Sequence, residues 1–268
     1  MKSTLILLAV AYFVHVKAET LVCGIPEDNG LLKALETPDD RDRLPTSSTP
    51  WVVAVYATEV HFGAPQVRLC SGYIVNGRLD IVLTSDDCVK SHGKVKLAVE
   101  IEGRESGPRR RIQVKEALKL GKAEEDVLGN VLILKLSEQL PSVMAMYSIC
   151  LPTEEMKFPP QKCLLTRWII KKGVPDAVFG KDANGITEKY CSSFDKRYSS
   201  TTAICLKSTD AELKNSLNSG ETIVCHHGNI WYLYGVGLQQ RYPTHKLFAK
   251  AHRVLPTYEK VSRPRFRL

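Results

Sequence analysis

Several absences bound what this chain can be. No Cys-x-x-Cys pair occurs among its eight cysteines, so the commonest zinc-ligand spacing is missing and a structural zinc site is disfavoured. Beyond residue 18 no stretch approaches the ~18 continuous apolar residues that a membrane-spanning helix needs, and no membrane span is expected. There is no internal repeat and no low-complexity tract, which argues against a solenoid or a linker. The basic runs are not interleaved with aromatic residues, so a nucleic-acid partner is not expected. No Asn-x-Ser/Thr acceptor is present, and N-linked glycosylation is not expected either.

What is present is ordinary in bulk and specific in detail. A hydrophobic content of 44% and a charged content of 25% suit a globular chain with a sizeable core. Residues 1–18 read as a secretory signal: Lys2 gives a positive start, Leu5 to Val14 a short apolar core, and Val16-Lys17-Ala18 a small-residue cleavage pattern. A secreted, extracellular product follows. All eight cysteines (Cys23, Cys70, Cys88, Cys150, Cys163, Cys191, Cys205, Cys225) lie after that segment. An even count behind a signal points to four disulfides, whose connectivity spacing alone leaves open. The formal charge is +8, concentrated at Arg109, Arg110, Arg111 and in the tail from Arg263 to Leu268. Such clusters can meet an acidic polysaccharide or a membrane surface. Solvated loops are the plainer reading.

Residues 19–49 are polar and turn-rich, and read as a mostly irregular extension carrying one cysteine. From Trp51 the texture changes to short β-branched and aromatic segments bounded by Gly, Pro, Asn and Asp. They fall at 51–57, 66–75, 81–84, 95–101, 111–120 and 130–136, then at 162–170, 202–206, 222–225 and 231–237. Repetition of this kind predicts a sandwich or barrel. Only Phe248 to Val261 reads as helix, limited or kinked by Pro256. The residues by themselves give a secreted, disulfide-bonded, all-β protein.

Several stretches, in order, carry a more specific signal. Leu217-Asn218-Ser219-Gly220-Glu221-Thr222-Ile223-Val224-Cys225 resembles the Gly-Asp-Ser-Gly-Gly-Pro nucleophile loop of the trypsin/chymotrypsin-like serine proteases. Pro50-Trp51-Val52-Val53 resembles that family's first-strand entry, and Leu69 to Val75 its Cys-Gly-Gly-Ser-Leu-Ile strand. Thr84-Ser85-Asp86-Asp87-Cys88 is similar to Thr-Ala-Ala-His-Cys, and Asn130 to Leu136 to Asp-Ile-Ala-Leu-Leu-Lys-Leu. Cys150-Leu151-Pro152 and Cys163 to Trp168 match two further landmarks. The match spans roughly residues 46 to 260. It implies two six-stranded antiparallel Greek-key β-barrels closed by a C-terminal α-helix, with a signal peptide at 1–18 and an extension or pro-region at 19–45. The protease-like domain is then 46–268, with one barrel at about 46–145 and the other, with the helix, at about 146–268. It also implies the disulfides Cys70–Cys88, Cys163–Cys225 and Cys191–Cys205, with Cys23–Cys150 tethering the extension. No cysteines are available for the family's further bridge beside the specificity pocket.

The same resemblance exposes the departures. It places Asp87 where the catalytic histidine belongs. A carboxylate with an ordinary pKa near ~4 is a poor acceptor for a serine proton. Asn130 falls on the orienting acid, and that kind of change alone costs ~10⁴ in turnover. Leu217 replaces the oxyanion-hole glycine, and losing one such donor costs ~10²–10³. Asn218 replaces the aspartate that receives the new N-terminus on activation, and the Ile-Val-Gly-Gly activation sequence is missing. Arg43-Leu44 offers a trypsin-type cut too close to Pro50 for that role. Leu213 falls on the floor of the specificity pocket, and Gln239 and Gln240 on its rim. His226, His227, His245 and His252 are the remaining candidate bases, each in the wrong segment. Asp86-Asp87 is the one candidate cation pair, and a thin one. Ser219, with no base beside it, reads as a leftover loop serine.

The resemblance thus implies an inactive serine protease homologue, of the kind most familiar from insects, with no cofactor. It would bind extracellular proteases, inhibitors or protease substrates in immune, reproductive or other cascades. Two other classes remain: a residual hydrolase using Ser219 with an unconventional base, and a glycosaminoglycan- or surface-binding protein using Arg109 to Arg111.

Overall fold

Where apolar residues run without polar interruption, as in Val131-Leu132-Ile133-Leu134, both faces of a strand must be covered. The arrangement of two β units against each other does this. The computed structural model describes residues 23–37, 44–89, 95–101, 109–122, 126–171, 174–182, 191–196, 198–207, 221–237 and 245–262. Its first unit consists of strands β1 (Val52–His61), β2 (Ala64–Tyr73), β3 (Ile81–Ser85), β4 (Val95–Ile101), β5 (Arg110–Lys119) and β6 (Val131–Leu136). They close into an antiparallel barrel in the order β1-β2-β3-β6-β5-β4. The second unit comprises β7 (Cys163–Lys171), β8 (Val174–Asp182), β9 (Ala203–Lys207), β10 (Thr222–His227), β11 (Ile230–Gly237) and β12 (His245–Lys250). It is a curled six-stranded sheet in the order β8-β7-β10-β11-β12-β9. The expected fold class is therefore the observed one, with the second unit an open sheet among the described residues.

Three buried clusters account for the packing. Val53, Val55, Val82, Val99, Leu132 and Leu134 fill the barrel. Leu165, Ile204, Ile223 and Phe248 pack inside the second sheet. The largest cluster joins the two, with Trp51, Tyr73, Leu83 and Ile133 from the barrel meeting Val224, Trp231, Leu233 and Leu247 from the sheet. Period-2 alternation explains the division: Leu132 and Leu134 face the barrel interior while Ile133 faces the seam. Disulfides join Cys23–Cys150, Cys70–Cys88, Cys163–Cys225 and Cys191–Cys205, the four pairs that the family resemblance implies.

The strand pattern missed two elements and misread a third. Strand β8 gave no signal because Asp176, Gly180 and Lys181 interrupt its apolar residues. Residues 248–250, expected as helix, complete β12, with Phe248 and Ala249 paired to β9 and Lys250 to β11. The C-terminal helix (Val254–Ser262) begins only after a 3₁₀ turn at Ala251–Arg253. Pro256 neither ends nor kinks it, because it sits in the first turn, where backbone N–H groups have no helical partner.

The stretch 19–49 is more ordered than its composition suggests. A short helix, α1 (Gly30–Glu36), buries Leu31 completely in the cluster that also holds Leu44 and Trp51. Gly24 donates to Ser148 O at 2.7 Å and accepts from Trp231 N–H at 2.8 Å. Its φ of +72° and a Cβ position only 2.2 Å from Trp231 O leave no residue but glycine there. Asp28 then ties the extension to the barrel entry. Its carboxylate accepts from Gly30 N–H at 2.7 Å and from the Ser47 and Ser48 hydroxyls at 2.5 Å each.

Partial burial disfavours the Asp28 anion, but the two serines and the Gly30 amide together outweigh it and hold the carboxyl below its usual range. A depressed native pKa contributes stability that is present above the unfolded value near ~3.9 and lost as pH falls through the native one. Asp28→Asn is thus expected to cost about 1–2 kcal/mol at pH 7, allowing for solvent screening of a half-exposed group. Urea titrations from pH 7 to pH 2 should show the difference from the parent shrinking below about pH 4.

Candidate functional site

Strand β3 runs directly into a 3₁₀ turn at Asp86–Cys88, which the Cys70–Cys88 bridge holds against β2. Ser85 caps this turn: its hydroxyl accepts the Asp87 N–H and donates to Asp87 Oδ2, at 3.3 Å each. Asp87 is 6% exposed and Asp86 1%. The Asp86 carboxylate receives Lys119 Nζ at 3.0 Å, so it is directed at a lysine of β5. A second 3₁₀ turn, Val127–Asn130, is capped by Asp126, whose carboxylate accepts from Leu128 N–H at 3.1 Å. Asn130 at its end is buried, its amide Nδ2 3.5 Å from Val127 O.

These two turns pack against each other, and the second also meets β12 of the other unit. Asp87 and Asn130, far apart in sequence, are thereby brought to one place on the seam between barrel and sheet. The seam offers a carboxylate and an amide in buried surroundings. Ser219, Leu217 and Asn218, and the pocket positions Leu213, Gln239 and Gln240, lie outside the described residues.

A buried polar knot stands beside this site, at the start of β10. Glu221 is 0% exposed and Lys246 4%, and Lys246 Nζ donates to Glu221 Oε2 at 2.5 Å. Next to it, the Thr222 and Thr166 hydroxyls are 2.9 Å apart. Tyr73, fully buried on β2, hydrogen-bonds Thr222 and Ser71. Burial is the main reason its hydroxyl titrates well above the usual tyrosine range, and the nearby Glu221 charge adds to that, against the opposing pull of the two hydrogen bonds. Sequence reasoning passed over Glu221, Lys246 and Tyr73. The available signal was Gly220-Glu221-Thr222 in place of Gly-Gly-Pro, a charge entering a strand that is otherwise apolar.

Among the described side chains, the candidate histidines sit on other elements than these two turns. His226 lies toward the far end of β10, about 14 Å along the strand from Thr222 at ~3.4 Å per residue, and packs beside Trp231 with ring centroids 5.0 Å apart. Burial, with Lys162 and His227 adding, holds its pKa below the usual value. His227 ends the same strand and is exposed. His252 sits in the Ala251–Arg253 turn, and burial followed by Arg253 depresses it as well. The backbone of His245 opens β12, and its side chain lies outside the described residues.

The arginine run is largely neutralised in place. Arg111 donates to Glu100 Oε2 at 2.8 Å and stacks over the Tyr56 ring, 3.9 Å from its centroid. Hydrogen bonding to Glu100 is the main cause raising its pKa. Arg109 reaches the same Glu100 at 3.8 Å, and Arg110 meets Glu138 at 2.9 Å. Two carboxylates therefore stand against three guanidinium groups. The basic tail from Arg263 lies outside the described residues. Among the described residues, no group of three His, Cys, Asp or Glu side chains is placed to hold a metal ion.

A closed six-stranded barrel, a second six-stranded sheet and a short C-terminal helix define a protein of the trypsin-like protease fold. A family model described as Trypsin matches residues 40–249, and the chain belongs to that family. Among solved structures it is similar to one described as "Structure of GrC", with a TM-score of 0.58 and 16% identity, covering 84% of this chain and 99% of that one. That likeness shows the shared fold. Comparison with curated proteins finds no match.

The polar knot makes a testable demand. Removing one partner of a buried ion pair strands the other charge and typically costs ~3–5 kcal/mol. Lys246→Met or Glu221→Leu alone should therefore lower Tm by about 10 °C at this chain length. The double variant should recover most of that loss, since an apolar pair of similar volume can replace a buried ion pair. Differential scanning calorimetry of the three proteins measures the coupling.

Proposed function

We propose that this chain is a secreted, non-catalytic serine protease homologue that acts by binding other proteins. The observation that carries the reading is Asp87: the trypsin-like pattern calls for a histidine there, and the chain presents a buried carboxylate capped by Ser85. Serine proteolysis requires a base that takes the hydroxyl proton and returns it to the leaving group, and an acid that orients that base. With a carboxylate in the first role and an amide in the second, the pattern gives Ser219 no imidazole to take its proton and return it. Leu217 and Asn218 extend the loss to the oxyanion hole and to the activation ion pair.

A trypsin-like fold without that chemistry leaves binding as its use. Protein recognition by such a fold supports a role as regulator or cofactor of an extracellular protease cascade, or in immune or reproductive secretions. The segment at 1–18 and the four disulfides support export. A glycosaminoglycan-binding role draws less support, because Arg109, Arg110 and Arg111 are already engaged by Glu100 and Glu138.

The mature protein should hydrolyse no member of a broad peptide–coumarin library, before or after nicking by trypsin. Ser219 should also resist labelling by a fluorophosphonate. A rate or a label that disappears in Ser219→Ala would overturn the inactive reading and require an unrecognised base.

A further inference from the structure

Strand β5 divides its pairing between two neighbours, and the division opens the barrel wall. Its first part pairs with β4, from Ala98↔Gln113 to Ile101↔Arg110. Its second part pairs with β6, from Val114↔Leu136 to Lys119↔Leu132, with a register shift between Val114 and Glu116. Lys115 is the extra residue of that bulge, the device by which a strand bends away and ends a ladder. The consequence falls on β4. Val95, Lys96 and Leu97 pair with Glu59, Thr58 and Ala57 of β1 on one side, while on the other side β5 has diverged and no strand pairs with them among the described residues.

The gap is a cleft of about 310 Å³ lined by β4 residues 95–97 and β5 residues 113–117. Its chemistry is two-faced. Val95, Leu97 and Val114 are partly buried against the barrel core and form an apolar floor. Lys96 and Lys115 are exposed and make no ion pair among the described residues. The one carboxylate in the cleft, Glu116, is engaged by Lys135 at 3.3 Å.

We propose that this cleft docks an extended segment of a partner protein in which apolar and acidic residues alternate. The segment adds as a strand along the open edge of Val95–Leu97. Backbone hydrogen bonds to an unpaired edge supply sequence-independent affinity, and alternate side chains supply selectivity. A strand laid there places every second side chain over Val95, Leu97 and Val114 and the intervening ones beside Lys96 and Lys115. The charge complementarity commits the partner to acidic residues at those positions. The site is separate from the Asp87–Asn130 turns, so the inference stands whether or not the cleft between the two β units is catalytic.

The probe is a fluorescein-labelled Val-Glu-Val-Glu-Val peptide titrated with the full mature chain by fluorescence polarisation. Saturable binding with a Kd below about 100 µM, a modest affinity, is expected, weakening at least tenfold in the Lys96→Glu/Lys115→Glu variant. N-methylation of alternate peptide amides should abolish it, and a Val-Lys-Val-Lys-Val analogue should not bind. Because both lysines are exposed, the double variant should keep the parent Tm. Hydrogen exchange should slow at residues 95–97 when the acidic peptide is bound. Absence of saturation, equal binding by the lysine or N-methylated peptide, or indifference to the double substitution would overturn the proposal.

Discussion

The ion pair between Glu221 and Lys246 is the constraint around which the second β unit is organised. Taking a carboxylate and an ammonium out of water costs several kcal/mol per ion, and both residues are buried. The cost is offset only if their mutual geometry is good and their surroundings are polar. Both conditions are met at the head of β10. The pair joins β10 to β12, the Thr166–Thr222 contact joins β10 to β7, and Tyr73 reaches Thr222 from the barrel. Gly237 N–H closes on Glu221 O at 2.6 Å. Residue 221 is thus fixed from several directions just after the segment that carries Ser219. Whatever that segment does, it leaves from a rigid post.

The seam between barrel and sheet carries the other half of the argument. Its cluster is the largest of the three; the turn bearing Asn130 contributes Val127 and Leu128 to it, and the turn bearing Asp87 packs against that turn. Burial there sharpens chemical consequences, because polar groups interact more strongly away from water. A histidine in the Asp87 position would gain from that environment. A carboxylate held by its own Ser85 cap instead points inward to a local hydrogen bond, and Asp86 beside it turns to Lys119. The Asp87 carboxylate helps hold its own turn, and that of Asp86 ties the turn to β5.

Much of this was legible in the sequence, for identifiable reasons. Ten of the strands announce themselves through β-branched runs bounded by turn residues. Cys88 fixes the register of the motif that contains Asp87, and Gly220 and Cys225 that of the motif that contains Ser219. What was not legible depended on contacts distant in sequence. Strand β8 is hidden by its polar residues, and the end of β12 reads as helix because Phe248, Ala251, Val254, Leu255, Tyr258 and Val261 recur at helical spacing. Helix α1 is too short to show periodicity and exists because Leu31 finds the seam and Asp28 finds Ser47 and Ser48. No local pattern marks Lys246 as buried, since a lysine on a strand is ordinarily exposed. Its partner lies 25 residues earlier in the chain.

Charge gives the clearest case of geometry deciding what composition cannot. A formal excess of +8 points first to Arg109-Arg110-Arg111, the densest basic run among the described residues. Yet that run faces Glu100 and Glu138, and its field beyond a Debye length of ~8 Å is small. Lys246, counted equally in the sum, is sealed in the core. Lys96 and Lys115 stand alone in sequence and attract no attention there. Among the described residues they make no ion pair, because a bulge re-aims one strand and Lys135 takes Glu116. Two dispersed cations thus stand beside an apolar floor, where a charge-matched strand would bury hydrophobic area and satisfy an open backbone edge together.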